Sequence, residues 1–303
     1  MLKAVITCLK DMDAGLVEEL ESNYISVRIM AFRDNETVDQ WLERLSSEVK
    51  EQRLQKQECI VIASEREVLQ ALSKAGWKCI GSVTTDSRSM DLFGCCEYIF
   101  EGWEGIGFDY LSRVYCRLEG IPVEIVTTDR LVVRELIQED IPRLCEICGQ
   151  DSVRAFIGDI GDDLQVEAEK HKSYIEQVYR FYDYGYWGVY DRKNGELIGR
   201  CGIQDNVIEG VSETELGYLI SEEKRGKGYA NEAVKAVLEY AFHDLCLTRI
   251  VAQVAYENTA SLRIVRSCGM LWEKDICAGN NKYGLYVITA ENYDKLCVQK
   301  SDR

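Results

Sequence analysis

The sequence predicts a mixed α/β protein of two domains, the first built on a parallel sheet and the second on a mixed sheet. Its 303 residues exceed one typical domain of about 100–200 residues. Pro122 is one of only two prolines and biases Ile121 away from the helical region, so we place the boundary between domains 1–121 and 122–303. Strand and helix patterns alternate before this boundary, whereas several strands follow one another after it.

The alternation in the first half is typical of a parallel sheet with crossover helices, which predicts a Rossmann-like domain. Residues 59–63, Cys-Ile-Val-Ile-Ala, form a continuous apolar run, as expected for a strand covered on both faces. Other strands are predicted at 3–9, 25–32, 77–83 and 97–100. Helices are predicted at 14–22, at 36–56 after an Asn35 N-cap, at 65–75 between a Ser64 cap and Gly76, and in part of 102–117.

Residues 60–64, 75–81 and 92–99 weakly resemble the late part of the haloacid dehalogenase (HAD) fold. Phosphatases of that family carry an Asp nucleophile and a second Asp two residues later, at the end of the first strand. Here the first strand ends Ile6-Thr7-Cys8-Leu9, without a carboxylate pair. The resemblance implies a non-catalytic domain, and a generic small Rossmann-like domain is the alternative.

The second half is predicted to contain more strands and a long amphipathic helix at residues 229–244. Further helices are predicted at 139–149, 164–184 and 259–268. Strands are predicted at 131–136, 186–190, 196–205, 212–220, 249–254, 269–277 and 283–288.

The acidic composition limits the partners. The net charge is −16, which disfavours tracking a nucleic-acid backbone. No run of about 18 uncharged apolar residues occurs, and the N-terminal apolar run is too short for a secretory signal. We therefore expect a cytoplasmic protein without nucleic-acid or membrane partners, and leave a homodimer open. An anionic cofactor would need a locally basic pocket, whereas a cationic acceptor would suit the rest of the surface.

The 13 cysteines mostly lie in apolar runs, as reduced core cysteines do. Cys145 and Cys148 form a CxxC, but no second ligand pair completes a zinc site. Two small residues on one helix are the alternative to a metal or redox role. Because only two histidines are present, we predict no metal.

The most informative segment is Arg225-Gly226-Lys227-Gly228, between a predicted strand and a predicted helix. Glycines permit a tight turn and close approach to a ligand. The first amides of the following helix lack intrahelical partners and point outward, at the positive end of the helix dipole. The segment therefore predicts a pyrophosphate site, although it is neither a P-loop nor a complete dinucleotide fingerprint.

The surrounding motifs resemble the GNAT superfamily of N-acetyltransferases, and within it the RimJ/RimL group. They are residues 128–134 (Thr-Asp-Arg-Leu-Val-Val-Arg), 215–218 (Glu-Leu-Gly-Tyr), 225–233, 258–264 and 268–270. The resemblance spans about residues 125–296. It implies a GNAT-type α+β domain with a mixed, splayed central sheet, acetyl-CoA as co-substrate and an amine acceptor.

The resemblance also implies site residues. A bulged strand at 212–220 would splay from its neighbour and pair with pantetheine, the loop would hold the pyrophosphate, and Asn258 would bond the pantetheine arm. The implied cofactor residues are Leu219, Ile220, Arg225, Gly226, Lys227, Gly228, Tyr229, Ala230, Asn258, Ser261 and Arg263.

Two positions depart from the family pattern. Glu223 stands where Gln or Arg often begins the loop, and Val265 stands where many members carry a tyrosine acid. The proton donor to the leaving thiolate is therefore unassigned, with Ser261 as the candidate.

The reaction also needs a group that accepts the amine proton, and a carboxylate can serve. We predict Glu215 as this base, with Glu213 sharing its face by the two-residue strand period. The alternative is that Glu215 has a structural role, as a partner of a neighbouring arginine or of the backbone.

The resemblance to GNAT proteins implies that an aromatic cluster near residues 174–187 forms a wall of the acceptor site, and aromatic rings suit cationic acceptors. Core packing is the alternative role for these residues. The members of the cluster are Tyr174, Tyr179, Phe181, Tyr182, Tyr184, Tyr186 and Trp187. The function predicted overall is acetyl transfer from acetyl-CoA to a primary amine, either a protein N-terminus or a small molecule. A catalytically weak acyl-CoA-binding sensor is the alternative.

Overall fold

A computed structural model describes residues 1–10, 12–83, 92, 94–157, 163–278 and 281–301. Phe93 of the HAD-like segment lies outside the described residues. The chain forms two compact units, Met1–Ile121 and Pro122–Arg303.

The first unit contains a five-stranded parallel sheet with the strand order β2-β1-β3-β4-β5. The strands are β1 Ala4–Thr7, β2 Ser26–Ile29, β3 Cys59–Ala63, β4 Lys78–Val83 and β5 Tyr98–Glu101. The order reverses at β1, as in doubly wound folds. All five residues of β3 are buried, as its continuous apolar run predicts.

Helices cover both faces of this sheet. They are α1 Ala14–Ser22, α2 Val38–Glu51, α3 Arg66–Lys74 and α4 Phe108–Glu119. One core lies under α2 and α3 and includes Trp41 and Leu69, while the other lies under α1 and α4 and includes Leu20 and Leu111. The predicted parallel sheet with helices between its strands is confirmed.

Two predicted helix starts are wrong. The N-cap of α2 is Thr37, whose side chain accepts from the Gln40 backbone in a capping box, whereas Asn35 adopts a left-handed turn with φ 62°. The N-cap of α3 is Glu65, one residue after Ser64. Helix α2 also ends at Glu51, since the chain turns at Arg53 with φ 59°.

The end of β1 carries a hydroxyl in place of a carboxylate. Thr7 is fully buried, and its Oγ1 donates to the Ile62 carbonyl at 3.2 Å. Burial raises the pKa of the neighbouring Cys8 thiol to about 11. The resemblance of this unit to the HAD fold stays a prediction.

The second unit contains an eight-stranded mixed sheet with the order β12-β13-β11-β10-β9-β8-β7-β6. The strands are β6 Glu124–Thr127, β7 Leu131–Arg134, β8 Tyr186–Asp191, β9 Leu197–Ile208, β10 Val211–Ile220, β11 Arg249–Ala255, β12 Leu271–Ala278 and β13 Asn281–Thr289. Only β10 and β11 pair in parallel, and the other neighbours are antiparallel. The predicted mixed sheet is confirmed.

Helices lie on both faces of this sheet as well. They are α5 Ile141–Cys148, α6 Asp151–Ile157, α7 Leu164–Tyr174, α8 Tyr229–His243, α9 Thr259–Ser267 and α10 Ala290–Ser301. The larger core joins α8 to the sheet through residues such as Val237 and Leu216. A smaller core on the opposite face joins α5 to Leu219.

The long helix predicted at 164–184 is interrupted. Regular α-helix ends at Tyr174, a π-helical turn follows at Ile175–Tyr179, and a last turn spans Arg180–Tyr182. The left-handed Asp183, with φ 62°, ends this segment before β8.

No described helix combines the length and apolarity that a bilayer crossing requires. Cys148 lies in the core beneath α5, and Cys145 is half-buried on the same helix. Within the part of the chain that the structure describes, no group of three or more His, Cys, Asp or Glu side chains could hold a metal ion.

Candidate functional site

The glycine loop leads directly into an uncapped helix N-terminus. Gly226 and Gly228 have φ of 72° and 83°, in the left-handed region that glycine adopts without strain. Gly228 is the N-cap of α8 and supplies no side-chain acceptor. The first amides of α8 therefore lack a side-chain cap and remain donors at the positive end of the dipole.

A cavity of about 560 Å³ opens at this N-terminus. It lies between the end of β10, the glycine loop and the first turn of α9. Ten of the eleven predicted cofactor residues line it: Leu219, Ile220, Arg225, Gly226, Gly228, Tyr229, Ala230, Asn258, Ser261 and Arg263.

Lys227 is the predicted cofactor residue that does not line the cavity. Its Nζ donates to the backbone oxygen of Glu223 at 2.9 Å, so the side chain folds back along the loop. Its own carbonyl accepts from Arg130 Nη1 at 2.9 Å. The Lys227 side chain therefore fastens the loop instead of facing the cavity.

The strands β10 and β11 separate beside the cavity. Their parallel pairing is limited to Glu215 and Val251, and no further pair continues toward Ile220. The other edge of β10 stays paired with β9 along its whole length without a register shift, so the predicted bulge is absent from that ladder. The separation leaves the last β10 residues without a strand partner on the β11 side.

Asn258 holds the start of α9 beside this opening. As N-cap, it accepts through Oδ1 from the Ser261 amide at 3.0 Å. Its Nδ2 donates to no other described residue. This amide group lines the cavity and is free to donate to a ligand.

Tyr218 is a site residue that the sequence analysis missed. Its hydroxyl lies 2.6 Å from Ser261 Oγ, and both residues line the cavity. Burial raises the pKa of Tyr218. The Glu-Leu-Gly-Tyr motif contained this tyrosine, but its partner lies 43 positions away on another element.

Other lining residues were also not predicted. They are Ser152, Val153, Lys224, Asn231, Ala260 and Ile264. The first two lie on α6, a helix that the sequence analysis did not identify.

Two arginines give the cavity a positive charge in an acidic chain. Arg225 donates through Nε to the Ile220 carbonyl at 3.0 Å and also bonds Ser152. Arg263 donates through Nε to the Thr259 carbonyl at 3.2 Å. Neither forms an ion pair with a described carboxylate, so both can pair with a bound anion.

The two departures from the family pattern have structural roles. Glu223 receives bonds from Arg143 and Gln150, and its own amide together with Arg143 lowers its pKa to about 2. It thereby ties the loop to the α5–α6 segment. Val265 is fully buried in the core under α9.

Glu215 lies beside the strand separation but does not line the large cavity. Its Oε2 accepts from Asn206 at 2.7 Å, and its Oε1 accepts from the Gln253 side chain at 3.1 Å and from the Gln253 backbone at 3.4 Å. Glu213, two residues earlier on the same face, is held by Arg249 with contacts of 2.9 and 3.0 Å. No arginine pairs with Glu215 among the described residues.

The predicted aromatic cluster divides into core and surface residues. Tyr179 and Trp187 are fully buried, whereas Phe181 is 81% exposed. Tyr174 accepts from the Tyr186 amide at 2.7 Å, which fixes Tyr186 against the central strands. A Cβ built on Gly217 would lie 2.6 Å from the Tyr186 ring, so this ring packs against the backbone of β10.

Comparisons with known proteins agree with this geometry. Residues 130–271 match the family described as the acetyltransferase (GNAT) domain. The uncharacterized protein YkkB of Bacillus subtilis is 28% identical over 53% of this chain and 93% of its own length. The uncharacterized N-acetyltransferase p20 of Bacillus licheniformis is 30% identical over 48% of this chain and 81% of its length.

A third relative has a named acceptor. The [ribosomal protein uS5]-alanine N-acetyltransferase of Escherichia coli is 26% identical over 56% of this chain and 91% of its own length. Together with the family match, these relatives show that the chain belongs to the GNAT acetyltransferases.

Proposed function

We propose that this protein transfers an acetyl group from acetyl-CoA to a primary amine by direct attack on the thioester. The observation that carries the proposal is the continuity of one cavity. It runs from the uncapped N-terminus of α8 to the Tyr218–Ser261 pair beside the separated strands.

In this proposal the pyrophosphate binds at the glycine loop. The free amides of the first turn of α8 donate to it, and the dipole of that helix favours its charge. Arg225 and Arg263, which lack carboxylate partners among the described residues, neutralise the remaining charge. The loop thus supplies the local positive site that the acidic chain otherwise lacks.

The pantetheine arm then runs between β10 and α9. The edge at the end of β10 that faces β11, beside Leu219 and Ile220, pairs with no strand and bonds its amides, and the free Nδ2 of Asn258 donates to one of its carbonyl groups. This places the thioester near Gly217, where the two strands begin to separate.

Glu215 takes the proton of the attacking amine, directly or through one water. Its bonds to Asn206 and Gln253 hold the carboxylate on the face of β10 from which, in this proposal, the amine attacks. Glu213 is a poorer base because Arg249 binds both of its oxygens. A backbone amide of the separated strand stabilises the oxyanion of the tetrahedral intermediate.

The hydroxyl pair of Tyr218 and Ser261 supplies the proton to the leaving thiolate. Burial keeps Tyr218 protonated, and its bond to Ser261 allows a proton to pass from one oxygen to the other. A thiol has an ordinary pKa of about 8.5, so the thiolate requires only weak acid assistance.

The first unit takes a non-catalytic role in this proposal. Its first strand ends at Thr7, which is buried and bonded to Ile62, and no Asp nucleophile stands there. The two units, residues 1–121 and 122–303, are proposed as separate domains.

The experiment is a thiol-release assay with acetyl-CoA and a panel of amines. The panel includes peptides with a free N-terminus, amino acids and polyamines. Release of CoA with formation of the acetylated amine supports the proposal. If the protein binds acetyl-CoA but acetylates no amine, the alternative of an acyl-CoA-binding sensor replaces it.

A further inference from the structure

A second, smaller cavity lies on the face of the sheet that carries Glu215. Its volume is about 150 Å³, and it is enclosed by α5, α7 and the strands β8 and β9. His171, Tyr186 and Arg200 line it. At roughly 30 Å³ per water it holds a few small groups, not a whole cofactor.

The register of the sheet puts Arg200, on the wall of this cavity, on the same face as the proposed base Glu215. Leu219 pairs with Arg200, Gly217 with Gly202, and Glu215 with Gln204. Directly paired residues of antiparallel strands share one face, and so do residues an even number of positions apart on one strand. Arg200 and Glu215 therefore lie on the same side of the sheet. Tyr186 joins the two regions, because its ring packs on Gly217 and lies 5.0 Å from the Arg200 guanidinium.

Arg200 carries a charge without a counter-charge. Among the described residues no carboxylate lies within ion-pair distance of its guanidinium, which lies 5.0 Å from the centre of the Tyr186 ring. By contrast, Arg134, Arg143 and Arg249 each pair with a carboxylate. A half-buried guanidinium without a partner is costly, and a bound anion would remove that cost.

His171 gives a second, independent indication of a ligand. It is only 7% exposed, and its imidazole bonds the backbone of Leu136. Its Nε2 is buried and has no hydrogen-bond partner among the residues that the structure describes. Buried polar atoms are normally bonded, so an unpartnered nitrogen on the wall of a cavity indicates a missing ligand or water.

We propose that this cavity binds a carboxylate of the acceptor through Arg200, so that the acceptor is an amino acid or another small amine bearing a carboxylate. A water bound with the carboxylate donates one hydrogen to it and the other to His171 Nε2. This inference rests on the proposed function, since it names the acceptor of the same site.

The charge count favours a carboxylate over a phosphate or a polyamine. Among the described residues that line the cavity, Lys170 is the other cation, and it is bound at 2.7 Å to Glu167 on the same wall, which leaves Arg200 as the unpaired positive charge. One guanidinium matches the single charge and the planar, bidentate shape of a carboxylate. A polyamine would meet repulsion from Arg200.

The test compares matched acceptors on the full chain. Thiol release from acetyl-CoA is measured with free L-amino acids, with the corresponding amino-acid amides and with spermidine. We expect the best free amino acid to exceed its amide at least about 10-fold in kcat/KM, as charge-assisted hydrogen bonds provide.

The variant Arg200→Gln should abolish this preference, and Arg200→Lys should retain part of it because the charge stays. Lys193→Gln is the control, since it removes one positive charge from the exposed turn between β8 and β9. Equal turnover of acids and amides that Arg200→Gln leaves unchanged would overturn the inference while the proposed function stands.

A binding measurement separates the two proposals. Calorimetry with the same amino acids, in the presence of CoA, reports on the cavity without any turnover. If no amine is acetylated but Arg200→Gln abolishes amino-acid binding, the proposed function fails and the carboxylate site stands. If the wild-type protein neither binds amino acids nor prefers them as acceptors, the carboxylate site is wrong.

Discussion

The hydroxyl of Tyr218, on β10, lies 2.6 Å from Oγ of Ser261, on α9. This bond spans the place where β10 and β11 separate, and Tyr218 also reaches the Ser261 carbonyl at 3.2 Å. It therefore fixes the first turn of α9 to the central sheet. The family position that often carries a tyrosine acid is Val265 here, so the hydroxyl pair offers a different source for the same proton.

The first prediction concerns this pair. Tyr218→Phe and Ser261→Ala should each lower kcat by up to about 10²-fold, the low end for proton transfer. The double variant should lose little more than either single variant, because the two hydroxyls act as one unit. Steady-state kinetics of thiol release measures this.

Ser267→Ala is the control for the Tyr218 and Ser261 variants. Ser267 lies on the same helix, and its hydroxyl bonds Asn231 and the Ile264 carbonyl away from Tyr218. Fully additive losses in the double variant would show that the two hydroxyls do not share one proton.

The second prediction concerns the glycine loop. Gly226→Asp should strongly weaken acetyl-CoA binding, because it adds a negative charge beside the pyrophosphate. Gly195→Asp is a matched control: the two glycines have φ of 72° and 71°, and an added Cβ meets no atom within 4 Å at either position.

Asp tolerates the left-handed region better than most residues, so both variants should lose similar stability. Calorimetric titration with CoA and thermal melts measure the two effects separately. Normal CoA binding by Gly226→Asp would place the pyrophosphate elsewhere.

The third prediction tests the base. Glu215→Gln should lower kcat about 10²–10⁴-fold and leave acetyl-CoA binding nearly intact. Glu213→Gln, on the same face, should mainly reduce stability, because it weakens the two contacts with Arg249. A Glu215→Gln variant within about threefold of wild type would assign Glu215 to the structural role that its bonds to Gln253 already provide.

The fourth prediction uses the close packing of Tyr186 on Gly217. In Gly217→Ala the new Cβ would lie 2.6 Å from the Tyr186 ring, so the ring must shift. We expect a raised KM for the amine with little change in acetyl-CoA affinity. In a Tyr186→Ala background, where the ring is absent, the same substitution should have little further effect, and an unchanged effect would locate the disturbance elsewhere.

The fifth prediction concerns the first unit. Residues 122–303 should bind acetyl-CoA as the full chain does, because all the described residues that line the large cavity belong to that unit. Residues 1–121 should hydrolyse no generic phosphate ester. Calorimetry of the shorter chain and a phosphatase assay of the first unit check these outcomes. Metal-dependent hydrolysis by the first unit would show that it is an active phosphatase.

Local patterns in the sequence determined most of the elements. The apolar run predicted β3, and the glycine loop predicted the start of α8, because backbone preference and burial depend strongly on short segments of sequence. The same signals failed at element ends. Thr37 caps α2 in place of Asn35, because Thr37 and Gln40 together form a capping box. The helix that begins at residue 164 becomes π-helical after Tyr174.

The tertiary structure decided which side chains meet. Tyr218 and Ser261 are 43 positions apart, and Arg200 faces the same side as Glu215 only because β9 and β10 pair in one register. A sequence shows that Arg200 is charged, but not that no carboxylate of the described residues lies within ion-pair distance of it. Partners, pairing register and burial depend on chain segments distant in sequence, which no local pattern contains.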